Sequence, residues 1–337
     1  MKEFTIDEKR AGQRFDKYLQ KLLKEAGTGF LYKMLRKKNI VLNDKKASGK
    51  EILEAGDVIK IYLADETYDK FAGPTLRVPL KTGPKKGRHL EVIYENKDVL
   101  LLNKPRGVLS QKAKEGDYSL VEMLRDYLLA SQALSPQDLQ SFSPGICNRL
   151  DRNTSGLVIA GASVYGLQQM SELLRTRHVD KYYLALVHGC LKDSLTIKGF
   201  LTKDEKKNLV TISQTAGESY IETYYEPLAF SKELTLLKVK LITGKTHQIR
   251  AHLQSIGHGL VGDYKYGGSV RNDKYKSQYG LSAQFLHSYE VVFPELPERL
   301  SDLSRKSFQA PLPALYKTIL EDIQWQHGIP AVSEVLR

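Results

Sequence analysis

Asp151 is the residue whose setting most invites chemistry. It lies in the stretch Asn148-Arg149-Leu150-Asp151-Arg152-Asn153-Thr154-Ser155-Gly156, where one carboxylate stands among two guanidiniums and four turn formers follow. The apolar run 157–160 then reads as a buried strand, so a single acid is held on a tight turn at the mouth of a core strand. Such an acid is either a reacting carboxylate or an ion-paired loop residue shared by Arg149 and Arg152.

Two other segments offer partners. His247 and Arg250 stand three residues apart in 247–253, which reads as a helix with Thr246 as its N-cap, so both share one face near its start. An arginine there is able to grip a carboxylate bidentately, keeping it ionised and aimed. Tyr183 lies in 181–187, a strand rich in aromatic and apolar residues. Other chemistries fit less well. His247 and His252 are five apart, which splays their imidazoles around a helix and disfavours a metal pair. Glycoside hydrolysis wants two facing carboxylates, and Asp263 is a distant second to Asp151. No Gly-x-x-x-x-Gly-Lys-Ser/Thr stretch is present to cradle a nucleotide.

The positioning elements follow from periodicity. Apolar residues at Phe15, Leu19, Leu22 and Leu23 predict an amphipathic helix over 14–23, and a second helix over 30–38 ends in Arg36-Lys37-Lys38. Short strands are predicted at 40–42, before the turn pair Asn43-Asp44, and at 58–62, after Gly56-Asp57. Gly and Pro crowd residues 64–89, which read as a linker. A larger domain over 90–325 should hold strands at 90–94, 99–103, 157–160, 181–187, 234–241 and 290–293, with helices at 119–129, 163–176, 247–253 and 312–323. Residues 256–268 read as a glycine-rich loop, and 326–337 as a tail.

With 337 residues, 41% of them hydrophobic, the chain is long enough for two domains with real cores. A net charge of +12 favours a polyanionic partner, most simply nucleic acid, over an acidic small molecule. Two cysteines, Cys147 and Cys190, give no disulfide framework and fit a reducing compartment. No signal-like start and no apolar run of the ~18 residues needed for a membrane span is found, so a cytoplasmic protein without membrane association is expected, monomeric by default.

Taken together, the motifs carry a resemblance. The Asn148–Gly156 stretch, with Lys104-Pro105-Arg106-Gly107 before it, Lys181-Tyr182-Tyr183-Leu184-Ala185-Leu186-Val187 after it and Thr243-Gly244-Lys245-Thr246-His247-Gln248-Ile249-Arg250 beyond, resembles the RluA family of RNA pseudouridine synthases. Residues 12–63, two helices with a small sheet and basic helix ends, resemble the S4-type RNA-binding module. The resemblance implies an α+β chain: a small N-terminal S4-like module over 1–63, and a catalytic domain over 90–325 whose mixed, mostly antiparallel sheet is flanked by helices. It implies an isomerase that needs no cofactor, because uridine and pseudouridine are isomers. The essential aspartate falls on Asp151, the active-site tyrosine on Tyr183, the carboxylate-pairing arginine on Arg250 and the base-displacing arginine on Arg149. Arg36, Lys37 and Lys38 are expected to contact RNA. Ribosomal RNA of the large subunit is the expected substrate, with transfer RNA as the alternative; a silent RNA-binding assembly factor of the same fold is the competing reading. One position departs from the family: its motif usually opens with His, where this chain has Asn148, which cannot titrate near neutrality.

Overall fold

A computed structural model describes residues 1–73, 89–204, 209–268 and 270–337. The chain forms two compact units, one made of Met1–Leu101, Tyr118–Asn148 and Ile159–Glu172, the other of Leu102–Asp117, Arg149–Val158 and Leu173–Arg337.

The first unit opens with β1 (Lys2–Thr5), α1 (Phe15–Leu22), α2 (Thr28–Arg36), β2 (Ile40–Leu42), β3 (Lys45–Lys46), β4 (Val58–Ile61) and α3 (Asp65–Ala72). Phe15, Tyr18, Leu19 and Leu22 form the buried face of α1, as the spacing predicts. A four-stranded sheet runs β1-β4-β2-β3. Asn43 and Asp44 are both left-handed, at φ +50° and +59°, which suits the two-residue turn between β2 and β3. The reading of 64–89 as a linker fails at its start: Tyr68 is buried in α3, and Phe71 packs on Phe30 with ring centroids 4.2 Å apart. The Gly and Pro residues that suggested a linker begin only at Gly73, and 74–88 lie outside the described residues.

The same unit continues with β5 (Glu91–Glu95), the start of β6 (Val99–Lys104), α4 (Leu120–Ala130), β7 (Gly145–Ile146), the end of β8 (Ser155–Gly161) and most of α5 (Val164–Arg175). Its strands run β8-β6-β5, with β7 antiparallel to β8. Residues near the N-terminus join these later segments. The Val164 N–H donates to the Lys9 carbonyl at 2.9 Å, the Gln168 amide to the Gly12 carbonyl at 3.0 Å, and Lys97 pairs with Glu8 at 3.0 Å. A boundary at residue 63 therefore does not describe this unit. Pairings between segments so distant in sequence leave no trace in local periodicity.

The second unit adds β9 (Asp180–His188), β10 (Leu195–Asp204), β11 (Leu209–Ser213), β12 (Ser219–Phe230), β13 (Leu234–Leu241), α6 (Gln248–Ser255), α7 (Val270–Tyr279), β14 (Leu286–Val292), β15 (Ser307–Gln309), α8 (Ala314–Asp322) and α9 (Ile329–Leu336). Its strands run β11-β10-β12-β13-β9-β14-β8, with β15 beside β14. Only the β14 pairing with β8 is parallel among these. The expected α+β class with a mixed, mostly antiparallel sheet thus holds. The expected tail is instead α9, whose Val332 and Val335 join Ile319 and Leu320 of α8 in one core cluster. β10 to β12 and α7 are hard to read from sequence: buried faces are filled in part by Gly199 of β10 and Thr223 of β12, α7 is mostly polar with Asn272 and Tyr275 buried, and Pro227 sits at a register shift within β12. Among the described residues no helix is long and apolar enough to cross a membrane.

Gly156 ends the turn that carries Asp151. Its φ is +105°, and an added Cβ meets the Ser288 carbonyl oxygen at 2.1 Å, where the backbones of β8 and β14 approach each other. Gly156→Ala is expected to cost at least about 2 kcal/mol, from strain plus overpacking, read as a lower denaturant midpoint at unchanged slope.

Candidate active site

The turn around Asp151 is pinned from several sides. Lys104, at the end of β6, is fully buried, and its three ammonium protons are directed to three carbonyls: Pro105 at 3.1 Å, Val108 at 2.8 Å and Arg152 at 3.0 Å. The Gly107 N–H also donates to the Arg152 carbonyl, at 2.9 Å. Burial pushes the Lys104 ammonium down to about 7, with the Asp151 charge acting in the opposite sense. The Ser110 hydroxyl donates to the Leu150 carbonyl at 2.7 Å and accepts the Leu150 N–H at 3.0 Å. The Lys-Pro-Arg-Gly motif and the Asp151 stretch are therefore one structure: the first clamps the backbone of the second.

Arg250 reaches Asp151 from α6. Its Nη1 donates to Asp151 Oδ2 at 3.2 Å, while Nε and Nη2 donate to Asp263 Oδ2 and Oδ1 at 2.7 and 2.9 Å. The bidentate grip foreseen for Arg250 thus falls on Asp263, and Asp151 receives the remaining edge of the guanidinium. Asp263 is 1% exposed, whereas the Asp151 side chain is 26% exposed and open to a ligand. Burial opposes the Arg250 charge, but the hydrogen bond and charge of Asp263 outweigh it and raise the guanidinium further. Asp263 Oδ1 also accepts the Lys265 and Tyr266 N–H groups at 3.0 and 3.2 Å, and the Arg250 guanidinium lies 5.0 Å over the Tyr266 ring.

Local sequence sets the direction of α6. Thr246 is not its N-cap; His247 holds that place in a left-handed conformation, φ +54°. Gln248 does the anchoring: its Oε1 accepts the Lys245 N–H at 3.1 Å and the Thr243 hydroxyl at 2.8 Å, and its amide donates to the Glu222 carbonyl of β12 at 3.0 Å. The two histidines of the segment have separate partners, His247 with Tyr266 and His252 with Thr223.

Tyr183 stands in β9, between Val239 of β13 and Ser288 of β14, and is 5% exposed. Burial first, and the Asp151 charge as well, push its phenol up to about 12, so it stays protonated at neutral pH. Arg149 is exposed on the Asp151 turn. Arg36, Lys37 and Lys38 are exposed at the end of α2 in the first unit. Asn148, where the resemblance expects His, spends its Oδ1 on the Ile159 N–H at 2.8 Å. Residue type and spacing undervalue Asp263, His247 and Tyr266. The available signal was Gly262 before Asp263: at φ +79°, an added Cβ meets the Ala283 carbonyl at 2.4 Å, so the acid follows an obligatory tight turn.

His287 ties the strand after the turn into the sheet. Its Nε2–H donates to the Ala310 carbonyl at 3.1 Å, leaving Nδ1 to accept the Ser155 hydroxyl at 2.9 Å. Burial pushes this imidazole down to about 4. Because the folded value lies below the unfolded value of about 6.5, its contribution is present above pH ~6.5 and lost as pH falls from there toward ~4. Unfolding titrations at a series of pH values are expected to show this loss in the wild type, and to show it reduced by roughly 3 kcal/mol in His287→Asn.

Known proteins resemble the chain in sequence and in shape. Residues 98–255 match the profile of a family described as RNA pseudouridylate synthase. The ribosomal large subunit pseudouridine synthase C of Vibrio vulnificus is 32% identical over 292 residues, covering 86% of this chain and 87% of its own. The Haemophilus ducreyi protein of the same name is 32% identical over 327 residues, covering 95% of each chain. A solved structure, human RNA Pseudouridylate Synthase Domain Containing 4, covers 70% of this chain and 94% of its own with a TM-score of 0.56 at 19% identity, which is a likeness of fold. Near-complete alignment at this identity, running through all four motifs that converge around Asp151, makes the chain a member of the RluA family of RNA pseudouridine synthases, and so an isomerase.

Proposed function

We propose that this enzyme converts uridines of large-subunit ribosomal RNA to pseudouridine with Asp151 as the reacting carboxylate. The arrangement that carries the reading is the shared guanidinium of Arg250. Asp263 holds it bidentately in the interior, and its remaining edge leaves Asp151 aimed and accessible. The names of the bacterial relatives support the choice of RNA.

The isomerisation breaks the N1–C1′ bond, turns the uracil, joins C5 to C1′, releases the C5 proton to solvent and returns a proton to N1. Atoms balance without an external reactant, so the chain's own groups suffice. Asp151 either attacks a carbon or removes a sugar proton, and both routes need the ionised carboxylate. Taking the uridine out of the RNA stack costs a few kcal/mol, and exposed Arg149 is suited to fill the space it leaves. Tyr183, a protonated phenol beside the carboxylate, offers a face for the displaced ring. The small sheet and basic helix end of the first unit serve as an S4-type RNA-binding module, with Arg36, Lys37 and Lys38 on phosphates.

Asp151→Asn is expected to abolish tritium release from C5-labelled uridine RNA while RNA binding persists; undiminished release overturns the assignment. Replacing Arg36, Lys37 and Lys38 by Ala should weaken binding and flatten its salt dependence by roughly one logarithmic unit of slope for each phosphate no longer neutralised. Mapping pseudouridine in cellular RNA with and without the gene identifies the substrate, and sites confined to transfer RNA would refute the ribosomal reading.

A further inference from the structure

His247 has no role in the scheme above, yet its surroundings give it one. Its left-handed backbone is unusual for a residue with a side chain, and the imidazole is only 9% exposed. The Val210 N–H of β11 donates to the Tyr266 hydroxyl oxygen at 3.1 Å, so that hydroxyl's own proton is free for His247 Nδ1 at 2.9 Å. Nδ1 is then an acceptor, and the ring proton sits on Nε2. Nε2 is the atom that lies 3.8 Å from Asp151 Oδ2. Tyr266 is itself held, through its N–H on Asp263 and its ring against Arg250.

We infer that His247 is a neutral, Nε2-protonated positioning residue for Asp151, a second donor beside Arg250 whose tautomer is set by Tyr266 and the backbone of β11. The inference rests on Asp151 being the reacting carboxylate. At 3.8 Å the contact is longer than a made hydrogen bond, and such contacts shorten when substrate engages the carboxylate. The charged groups facing the imidazole are Asp151 on its turn, Arg250 on α6, and Asp263 and Lys265 on the loop before α7. Burial, Arg250 and Lys265 lower its proton affinity against the pull of the two carboxylates, so it is neutral at pH 7. Protonation at lower pH adds another cation beside Asp151 and weakens it as a base or nucleophile.

The test uses the full-length enzyme and tritium release from C5-labelled RNA over about pH 5 to 8, with wild type, His247→Gln, His247→Asn and Asp151→Asn. Glutamine places an N–H where Nε2 stood and should keep kcat within about threefold. Asparagine tolerates the left-handed backbone but is too short, and should lower kcat about tenfold with KM little changed. Both should move the acid limb of kcat to lower pH, because the titrating imidazole is gone. Nitrogen-15 NMR of wild-type His247, which needs no variant to fold, should show Nδ1 unprotonated and Nε2 protonated near neutrality. A protonated Nδ1, equal impairment of the Gln and Asn variants, or an Asn variant with wild-type kcat and an unmoved acid limb overturns the inference. An active Asp151→Asn enzyme would instead refute the role of the carboxylate itself, so the two failures are distinct.

Discussion

One guanidinium holds two carboxylates of unequal standing, and the site depends on that inequality. Asp263 is buried, receives two bonds from Arg250 and two from backbone N–H groups, and has no spare capacity for a ligand. Asp151 receives one bond and keeps a quarter of its side chain exposed. A buried arginine with a single half-exposed partner would be poorly compensated; the interior acid supplies what the outer one withholds. The cation is thereby fixed by the fold itself, and the outer carboxylate is left with directions open to a ligand.

Lys104 shows the same logic on the backbone side. A buried ammonium is costly unless each of its protons is received, and three carbonyls converge on it. One of them belongs to Arg152, the residue after Asp151, so the charge of the lysine is spent on fixing the turn. Arg250 orients the carboxylate and Lys104 orients the chain that bears it.

Much of this was legible in the sequence, and the reasons for the rest are physical. The helix at Phe15, the alternating strand at Leu237 and Val239 and the turn at Asn43-Asp44 obey local rules, and each lies where periodicity places it. Asp151 and Arg250 were singled out by type and spacing, and they meet. Asp263 is hard to value from sequence because its partner lies thirteen residues away around a loop, which no period encodes. The linker reading overreached into α3 because composition averages over a window, whereas a helix needs only Tyr68 and Phe71 correctly placed to bury one face. The docking of residues 8–12 on Lys97, Val164 and Gln168 was beyond reach for the same reason as Asp263, only more so.

Neither compact unit is a continuous piece of chain. The first is complete only with residue 172, and the Asp151 turn belongs to an excursion, 149–158, that leaves it and returns. A ribosome making this protein from the N-terminus therefore cannot release a finished first unit after 63 or even 101 residues. Apolar groups such as Val99, Leu100 and Leu101, fully buried at the end, must wait through some 60 further residues for Ile159 and Ala160 to emerge. At about 5–20 residues per second that is an interval of a few seconds or more, in which nascent chain is open to chaperones and to misassembly. Placing the Asp151 turn inside a returning excursion holds it at both ends in the mature fold and exposes the chain while it is being made.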